Sequence, residues 1–311
     1  MNNQQNMLLR VILMKKKYNI SRREFLTIMN VAGIGFAMST SNALAEKDNN
    51  SETVSFGVVT DLHYADKDMR NNRYYRDSFE KLTECIERFN KLNPDFIIEL
   101  GDFIDANEKE IEIGYLKKID SMFRSFKSDR YYVMGNHDIA TLSKEEFLSI
   151  TGASGKYYSF DYGSFHFIVL DGNYNEDGSE YNAGNFIWTE TYIHAPQQEW
   201  LKKDLEKAHD KTVFVFVHQK LDDKPGDREN LHRVNNAPEV RKILEKVGNV
   251  RAVIQGHDHS GGYCIMNGIQ YVTLMGAVEG QGLENNKYAI AVIDDHNLHI
   301  KGFGKQESFE L

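Results

Sequence analysis

The sequence predicts an α/β sandwich, because short apolar runs alternate with amphipathic helical stretches along residues 53–303. Residues suited to chemistry (Asp, Asn and His) repeatedly follow the apolar runs, and α/β sheets bind ligands outside the carboxyl ends of their strands. The chain has 311 residues, 41% of them apolar and 27% charged. That is enough to bury a sizeable core in one large domain or two ordinary ones.

In order, residues 53–60 read as a strand ending on Asp61. Residues 77–91 read as a helix, with Phe79, Leu82, Ile86 and Phe89 on one face. A second strand at 96–100 ends on Gly101-Asp102, and a charged helix follows over 111–126. A third strand at 131–134 ends on Gly135-Asn136-His137-Asp138. Residues 157–162 and 166–170 read as a hairpin around Gly163, and 197–208 as a helix. A strand at 213–217 ends on His218. Residues 238–247 read as a short helix with Pro238 in its first turn, and a strand at 252–255 ends on Gly256-His257-Asp258-His259. Strands near 263–275, 287–294 and 298–303 complete the pattern. There is no internal repeat and no low-complexity tract.

Charge narrows the partner. The formal net charge is -9. Residues 1–45 hold six Lys/Arg and one Glu, leaving 31 basic and 45 acidic residues, a charge of -14, on the remainder. A body this acidic disfavours nucleic acid, whose backbone demands clustered Lys and Arg. A small phosphorylated substrate stays compatible, because bound cations supply local positive charge. Cys85 and Cys264 do not make a disulfide framework. They read as small buried hydrophobes, with a single bridge left open.

Residues 1–45 read as an address. Ser21-Arg22-Arg23-Glu24-Phe25-Leu26 precedes an apolar stretch at 27–38, and Ala43-Leu44-Ala45 supplies small residues for a peptidase. The paired arginines resemble the twin-arginine pattern, implying the twin-arginine export machinery as partner and a periplasmic or extracellular destination. The apolar stretch is short for a membrane span, so no stable membrane anchor is expected after cleavage. Met14-Lys15-Lys16-Lys17 offers an alternative start directly upstream of the arginines. Residues 46–52 are a polar linker and 53–311 the folded domain.

The strand-end residues form a candidate metal cage of Asp61, His63, Asp102, Asn136, His218, His257 and His259. Alternation along an extended segment is expected to put Asp61 and His63 on one face, with Leu62 toward the core, and likewise His257 and His259. Each motif alone is weak, since a lone strand-end His is commonly a surface group. Their combination in one chain is specific. A nitrogen and oxygen donor set without Cys suits Mn, Fe or Zn.

The motif series resembles the calcineurin-like metallophosphoesterase superfamily: D-x-H at Asp61–His63, GD-x-x-[DN] at Gly101–Asp105, GNH[DE] at Gly135–Asp138, a strand-end His218, and GH-x-H at Gly256–His259. The resemblance covers residues 54–303. It implies a four-layer α/β/β/α sandwich with two central mixed β-sheets, and two divalent metal ions. Asp61, His63, Asp102 and His259 would hold the first ion. Asp102, Asn136, His218 and His257 would hold the second, with Asp102 shared. Such a pair clamps in-line phosphoryl displacement and yields hydroxide near neutral pH. His137 would then protonate the leaving oxygen or stabilise the transition state. Asp138 is expected either to orient His137 or to cap its own turn. Purple acid phosphatases place an iron-binding Tyr where this chain has Asp105, so that chromophore is not expected.

Phe56–Asp61, Tyr64-Ala65-Asp66, Arg73–Arg76, Gly256–Tyr263 and Tyr271–Leu274 resemble the manganese-dependent ADP-ribose/CDP-alcohol diphosphatase branch. That likeness favours Mn and nucleoside-diphosphate-type substrates. The branch can carry Gln where this chain has His63, and Pro two residues after the strand-end His, where this chain has Lys220. Arg73 and Arg76 are candidate phosphate grips. Residues 173–195, with Tyr174, Tyr181, Phe186, Trp188 and Tyr192, read as a base-stacking lid or as a long surface loop. The competing functions are a general exported phosphomonoesterase and a non-catalytic metal-binding scaffold of the same fold.

Overall fold

The computed structural model describes residues 53–223, 231–294 and 297–310. The expected address, its alternative start and the linker lie outside them. Among these described residues, twelve strands form two six-stranded sheets. The first has the order β12-β11-β10-β1-β2-β3, the second β4-β5-β6-β7-β9-β8. The strands of the first sheet are β1 (Thr53–Val59), β2 (Phe96–Glu99), β3 (Asp129–Tyr132), β10 (Lys287–Asp294), β11 (Asn297–Gly304) and β12 (Phe309–Glu310). Those of the second are β4 (Tyr158–Tyr162), β5 (Phe165–Val169), β6 (Thr212–Val217), β7 (Val250–Gln255), β8 (Ser260–Met266) and β9 (Ile269–Met275). Both sheets are mixed: β1 pairs parallel to β2 but antiparallel to β10, and β9 pairs parallel to β7 but antiparallel to β8.

Side-chain alternation divides each strand between two cores. Val54, Phe56 and Val58 of β1 meet Phe214 and Phe216 of β6 between the sheets. Phe56 stacks on Phe96 at 5.0 Å and meets Phe216 edge-on at 5.5 Å. The opposite face of β6, Val213, Val215 and Val217, packs under α4 (Ala195–Lys207) and α5 (Ala237–Val247) through Leu201, Leu205, Val240 and Leu244. On the first sheet Val59 and Ile97 pack under α1 (Ser78–Leu92), α2 (Lys109–Phe123) and α3 (Lys144–Thr151). The result is the expected α/β/β/α sandwich. Among the described residues no helix is long and apolar enough to cross a membrane.

Two details differ from the sequence reading. Helix α3 was not expected. Its signal is a capping box in which the Ser143 hydroxyl accepts from the Glu146 amide while the Glu146 carboxylate accepts from the Ser143 amide. The third strand starts and ends two residues early, at Asp129–Tyr132, although the Val133 amide still donates to the Glu99 carbonyl. Both cysteines are free: Cys85 is buried under the first sheet, and Cys264 lies on β8 of the second.

Candidate metal centre

The seven cage residues follow the ends of β1, β2, β3, β6 and β7, but strand alternation does not aim them. Strand β1 stops at Val59, and Asp61 and His63 have left-handed backbones, with φ of 52° and 44°. Asp102 and His257 do too, at 57° and 67°. Nine non-glycine residues have positive φ among the described residues, and four of them belong to the cage. Strained backbone gathered this way marks a functional constraint. It corrects the expectation of an extended two-faced segment, since backbone kinks rather than pleating aim these side chains. Leu62 does point into the core.

Close backbone approach makes the rest possible. A Cβ on Gly135 would overlap the Asp102 amide and carboxylate, and one on Gly256 would overlap Thr60 and Asp61. The loops are tied by main-chain bonds from the Asp61 amide to the Gly101 carbonyl (3.0 Å) and from the His63 amide to the Asp102 carbonyl (2.8 Å).

Two triads result. Asp61, His63 and His259 form one, and Asp102, His218 and His257 the other. Asp102 Oδ2 sits between them, 3.5 Å from His63 Nε2 and 3.2 Å from His218 Nε2. Asp61 Oδ1 lies 3.2 Å from His259 Nε2. His137 joins His63 and Asp102 in a third cluster. Its amide donates to Asp102 Oδ1 at 2.8 Å, and its ring meets the His63 ring edge-on at 4.5 Å.

Several donor atoms of the cage make no hydrogen bond. Asp61 Oδ1, Asn136 Oδ1, His218 Nε2 and His257 Nε2 are buried without a hydrogen bond. Buried polar atoms normally have one, so four such atoms among the cage residues fit cation ligands. Their opposite atoms are anchored: His218 Nδ1 bonds the Leu100 carbonyl (2.8 Å), His259 Nδ1 bonds Glu279 (2.8 Å), and Asp61 Oδ2 accepts from Thr60 and from the His257 amide.

Electrostatics matches that geometry. Burial opposes ionisation of Asp61 and Asp102, yet His259 beside the first and His218 beside the second hold both carboxyls well below the usual range. Burial likewise opposes charge on the imidazoles, but Asp102 pushes His218 up to about 9, and Asp61 with Glu279 pushes His259 up to about 9. His257, buried and next to His218, is driven well down.

Asp138 does not orient His137. Its carboxylate accepts from the backbone amides of Asp102, Phe103, Ile104 and Gly135. It organises the loop that carries the shared Asp102 and has no reach left for a ring. The carboxylate facing His137 Nδ1 is Asp105, at 3.6 Å, which also lies 3.4 Å from His63 Nδ1. Asp105 is the residue the sequence reading passed over, although it was marked as the final position of GD-x-x-[DN].

The two candidate phosphate grips separate. The Arg76 guanidinium is held by exposed Asp66 and Asp68, so the structure assigns it to a surface cluster. Arg73 lies by Glu279, 3.8 Å from its carboxylate, at the edge of the first triad. Most aromatics of residues 173–195 are committed elsewhere. Tyr174 is buried on His194 with rings 3.8 Å apart, and Tyr181 is buried on Phe186 at 4.0 Å. Trp188 alone among them meets a cage residue: it is 41% exposed and its ring lies 5.6 Å from that of His257.

Paired oxygen and nitrogen clusters sharing one carboxylate, set at the strand ends of an α/β/β/α sandwich, define a two-metal hydrolase. The chain belongs to the calcineurin-like phosphoesterase family, whose model matches residues 54–261. It is a metal-dependent hydrolase of phosphoric esters or anhydrides with a place for two divalent cations. Similar curated proteins include the manganese-dependent ADP-ribose/CDP-alcohol diphosphatase of Arabidopsis thaliana, 28% identical, with 83% of this chain and 96% of that protein covered. The protein of the same name from Homo sapiens is 24% identical over 85% of this chain and 94% of its own length. A dimetal phosphatase from Danio rerio has a similar fold, with a TM-score of 0.72 and 22% identity, covering 83% of this chain and 98% of that one.

Proposed function

We propose that the protein is an exported, manganese-dependent hydrolase of nucleoside-diphosphate-type substrates such as ADP-ribose or CDP-alcohols, with Asp61, His63, Asp102, Asn136, His218, His257 and His259 as the metal ligands. The curated relatives named above support the substrate class and the metal. The observation that carries the reading is Trp188, a half-exposed indole beside His257. A base stacked on such a ring gains about 1–3 kcal/mol and would bring its phosphates beside His257. A phosphomonoesterase for simple esters has no use for that platform.

Two divalent cations there would supply Lewis acidity, activating water and neutralising phosphoryl charge. The rest is done by the chain. Asp102, with Oδ2 between the two triads, keeps both halves in register. His137 stands over His63, and Asp105 together with Asp102 raises its pKa against the effect of burial. That shift favours the protonated ring, the form that delivers a proton to the leaving oxygen. Arg73, at the edge of the first triad, offers a guanidinium to the second phosphate.

A panel of ADP-ribose, CDP-choline, p-nitrophenyl phosphate and nucleoside monophosphates with Mn2+ tests the substrate class. Turnover of the two diphosphate esters is expected, and Trp188→Ala should raise their KM about 5–100-fold with kcat little changed. Turnover of monoesters alone would reject it. Export rests on the arginine pair, apolar stretch and Ala-x-Ala site within residues 21–45. The twin-arginine route carries folded proteins, so the metals would be loaded beforehand. Arg22→Lys together with Arg23→Lys should trap the precursor inside the cell, and unimpaired secretion of that variant would reject the export reading.

A further inference from the structure

The two halves of the cage are supported unequally, and the difference centres on a residue outside the family motifs. Glu279 follows β9 and accepts from or donates to nothing in the cage except His259, whose Nδ1 it meets at 2.8 Å. The other face of that imidazole packs on Gly276, where a Cβ would come within 2.6 Å of the ring. His259 is thus wedged with Nε2 toward Asp61 Oδ1 and His63 Nε2, at 3.2 and 3.1 Å.

The segment carrying Glu279 is fixed from several directions. The Ala277 amide donates to the Thr60 carbonyl and the Val278 amide to the Asp61 carbonyl, while the Tyr74 amide donates to the Val278 carbonyl and the Gly280 amide to the Asn72 carbonyl. Two buried lysines hold it from beneath. Lys81 Nζ donates to the Ala277 and Gly280 carbonyls at 2.8 and 2.6 Å, and Lys287 Nζ to the Glu279 carbonyl at 2.6 Å. The side chain is steadied by Asn72 at 3.0 Å and by Arg73. Burying two ammonium groups costs free energy, and here that cost secures the position of one carboxylate.

Among the described residues no carboxylate backs His218 Nδ1 in the other half. Its Nδ1 meets the neutral Leu100 carbonyl, and Asn136, the further donor the family resemblance assigns to that half, is an uncharged amide. In the first half, His259 is backed by Glu279 and His63 by Asp105, and Asp61 contributes a carboxylate of its own. A carboxylate behind a ligand imidazole fixes its tautomer and raises its basicity, and removing it typically costs 10–100-fold in metal affinity.

We infer that Glu279 is a positioning residue that fixes His259 for the metal and makes the Asp61/His63/His259 half the tighter of two unequal sites, filled first. This rests on the two-metal reading. The test is a calorimetric Mn2+ titration of the metal-free full-length protein, with thermal unfolding of the metal-free protein recorded alongside. Wild type should bind in two resolved steps. Glu279→Gln, close to isosteric, should weaken the tight step about 10–100-fold and leave the weak step within about twofold, with metal-free Tm little changed; Glu279→Ala should weaken the tight step further. An unchanged tight step in Glu279→Gln, or an equal fall in both steps, would overturn the inference while leaving two-metal binding intact. Failure of wild type to bind two ions would instead overturn the reading beneath it.

Discussion

His63 and His259 face each other Nε2 to Nε2 across 3.1 Å, with Asp61 Oδ1 completing the triangle 3.2 Å from the second ring. Two ring nitrogens at that distance share either a proton or a cation. Neighbouring carboxylates push His259 and, in the other triad, His218 up to about 9 against burial, which favours their protonated forms at neutral pH. A cation must displace that proton, so proton and metal compete. Mn2+ affinity should therefore rise between pH 7 and 9 and level off above. Calorimetry at pH 7.5 in buffers of different ionisation enthalpy should show proton release; heats independent of buffer would contradict the shifts.

Asp138 is a structural carboxylate. Its two oxygens take four backbone amides, and Asn in its place would turn an NH2 group toward some of those donors. Each buried amide left unpaired costs about 1–3 kcal/mol. Asp138→Asn should thus lower the metal-free Tm by about 2–4 °C per kcal/mol lost and disturb the Asp102 loop. A purely catalytic role for Asp138 would leave metal-free stability at wild type.

The two arginines should behave differently. Arg76→Ala breaks exposed pairs with Asp66 and Asp68, worth about 0–1 kcal/mol, and should leave kcat/KM near wild type. Arg73→Ala should raise KM for a diphosphate ester about tenfold, on the order of 1.4 kcal/mol. Steady-state kinetics on ADP-ribose decides, and an equal effect of both substitutions would return Arg76 to the site.

Lys144 and Asp171 form a fully buried pair at 2.5 Å. Lys144 Nζ also donates to the Asn173 carbonyl and lies 3.7 Å over the Tyr174 ring. Asn173 in turn donates to the Met134 carbonyl and accepts from Gln219 at 2.6 Å, joining the loops of Asn136 and His218. Lys144→Met leaves Asp171 buried and uncompensated and should cost about 3–5 kcal/mol. Denaturant unfolding checks it; a loss under 1 kcal/mol would show that the network is slack.

The sandwich was legible because its strands and helices carry their own periodicities. Phe214 and Phe216 alternate with Val213, Val215 and Val217 in the sequence as they do between two cores. The members of the cage were legible because the donors stand in short motifs at the ends of apolar runs. How those side chains are aimed was not. Left-handed φ at Asp61, His63, Asp102 and His257 is set by tertiary crowding, and non-glycine residues do not announce it. The role of Asp138 stayed open between orienting His137 and capping its turn, because adjacency in sequence says nothing of which donors a carboxylate meets after a turn. Glu279 was missed because it lies 20 residues beyond His259, across a hairpin, in no motif. Helix α3 was missed although its capping box stood in the sequence at Ser143 and Glu146.

The most direct test is the number of ions held by the full-length protein, counted by elemental analysis after reconstitution with Mn2+ and removal of free metal, in wild type and in Asp102→Asn. A cage with one carboxylate shared between two triads requires about two Mn2+ per wild-type chain, with an exchange-coupled paramagnetic resonance signal. Asp102→Asn should lose the coupling and at least one ion. Two ions retained with full coupling in Asp102→Asn, or a wild type that binds at most one ion and still hydrolyses ADP-ribose at its full rate, would contradict the shared-carboxylate centre.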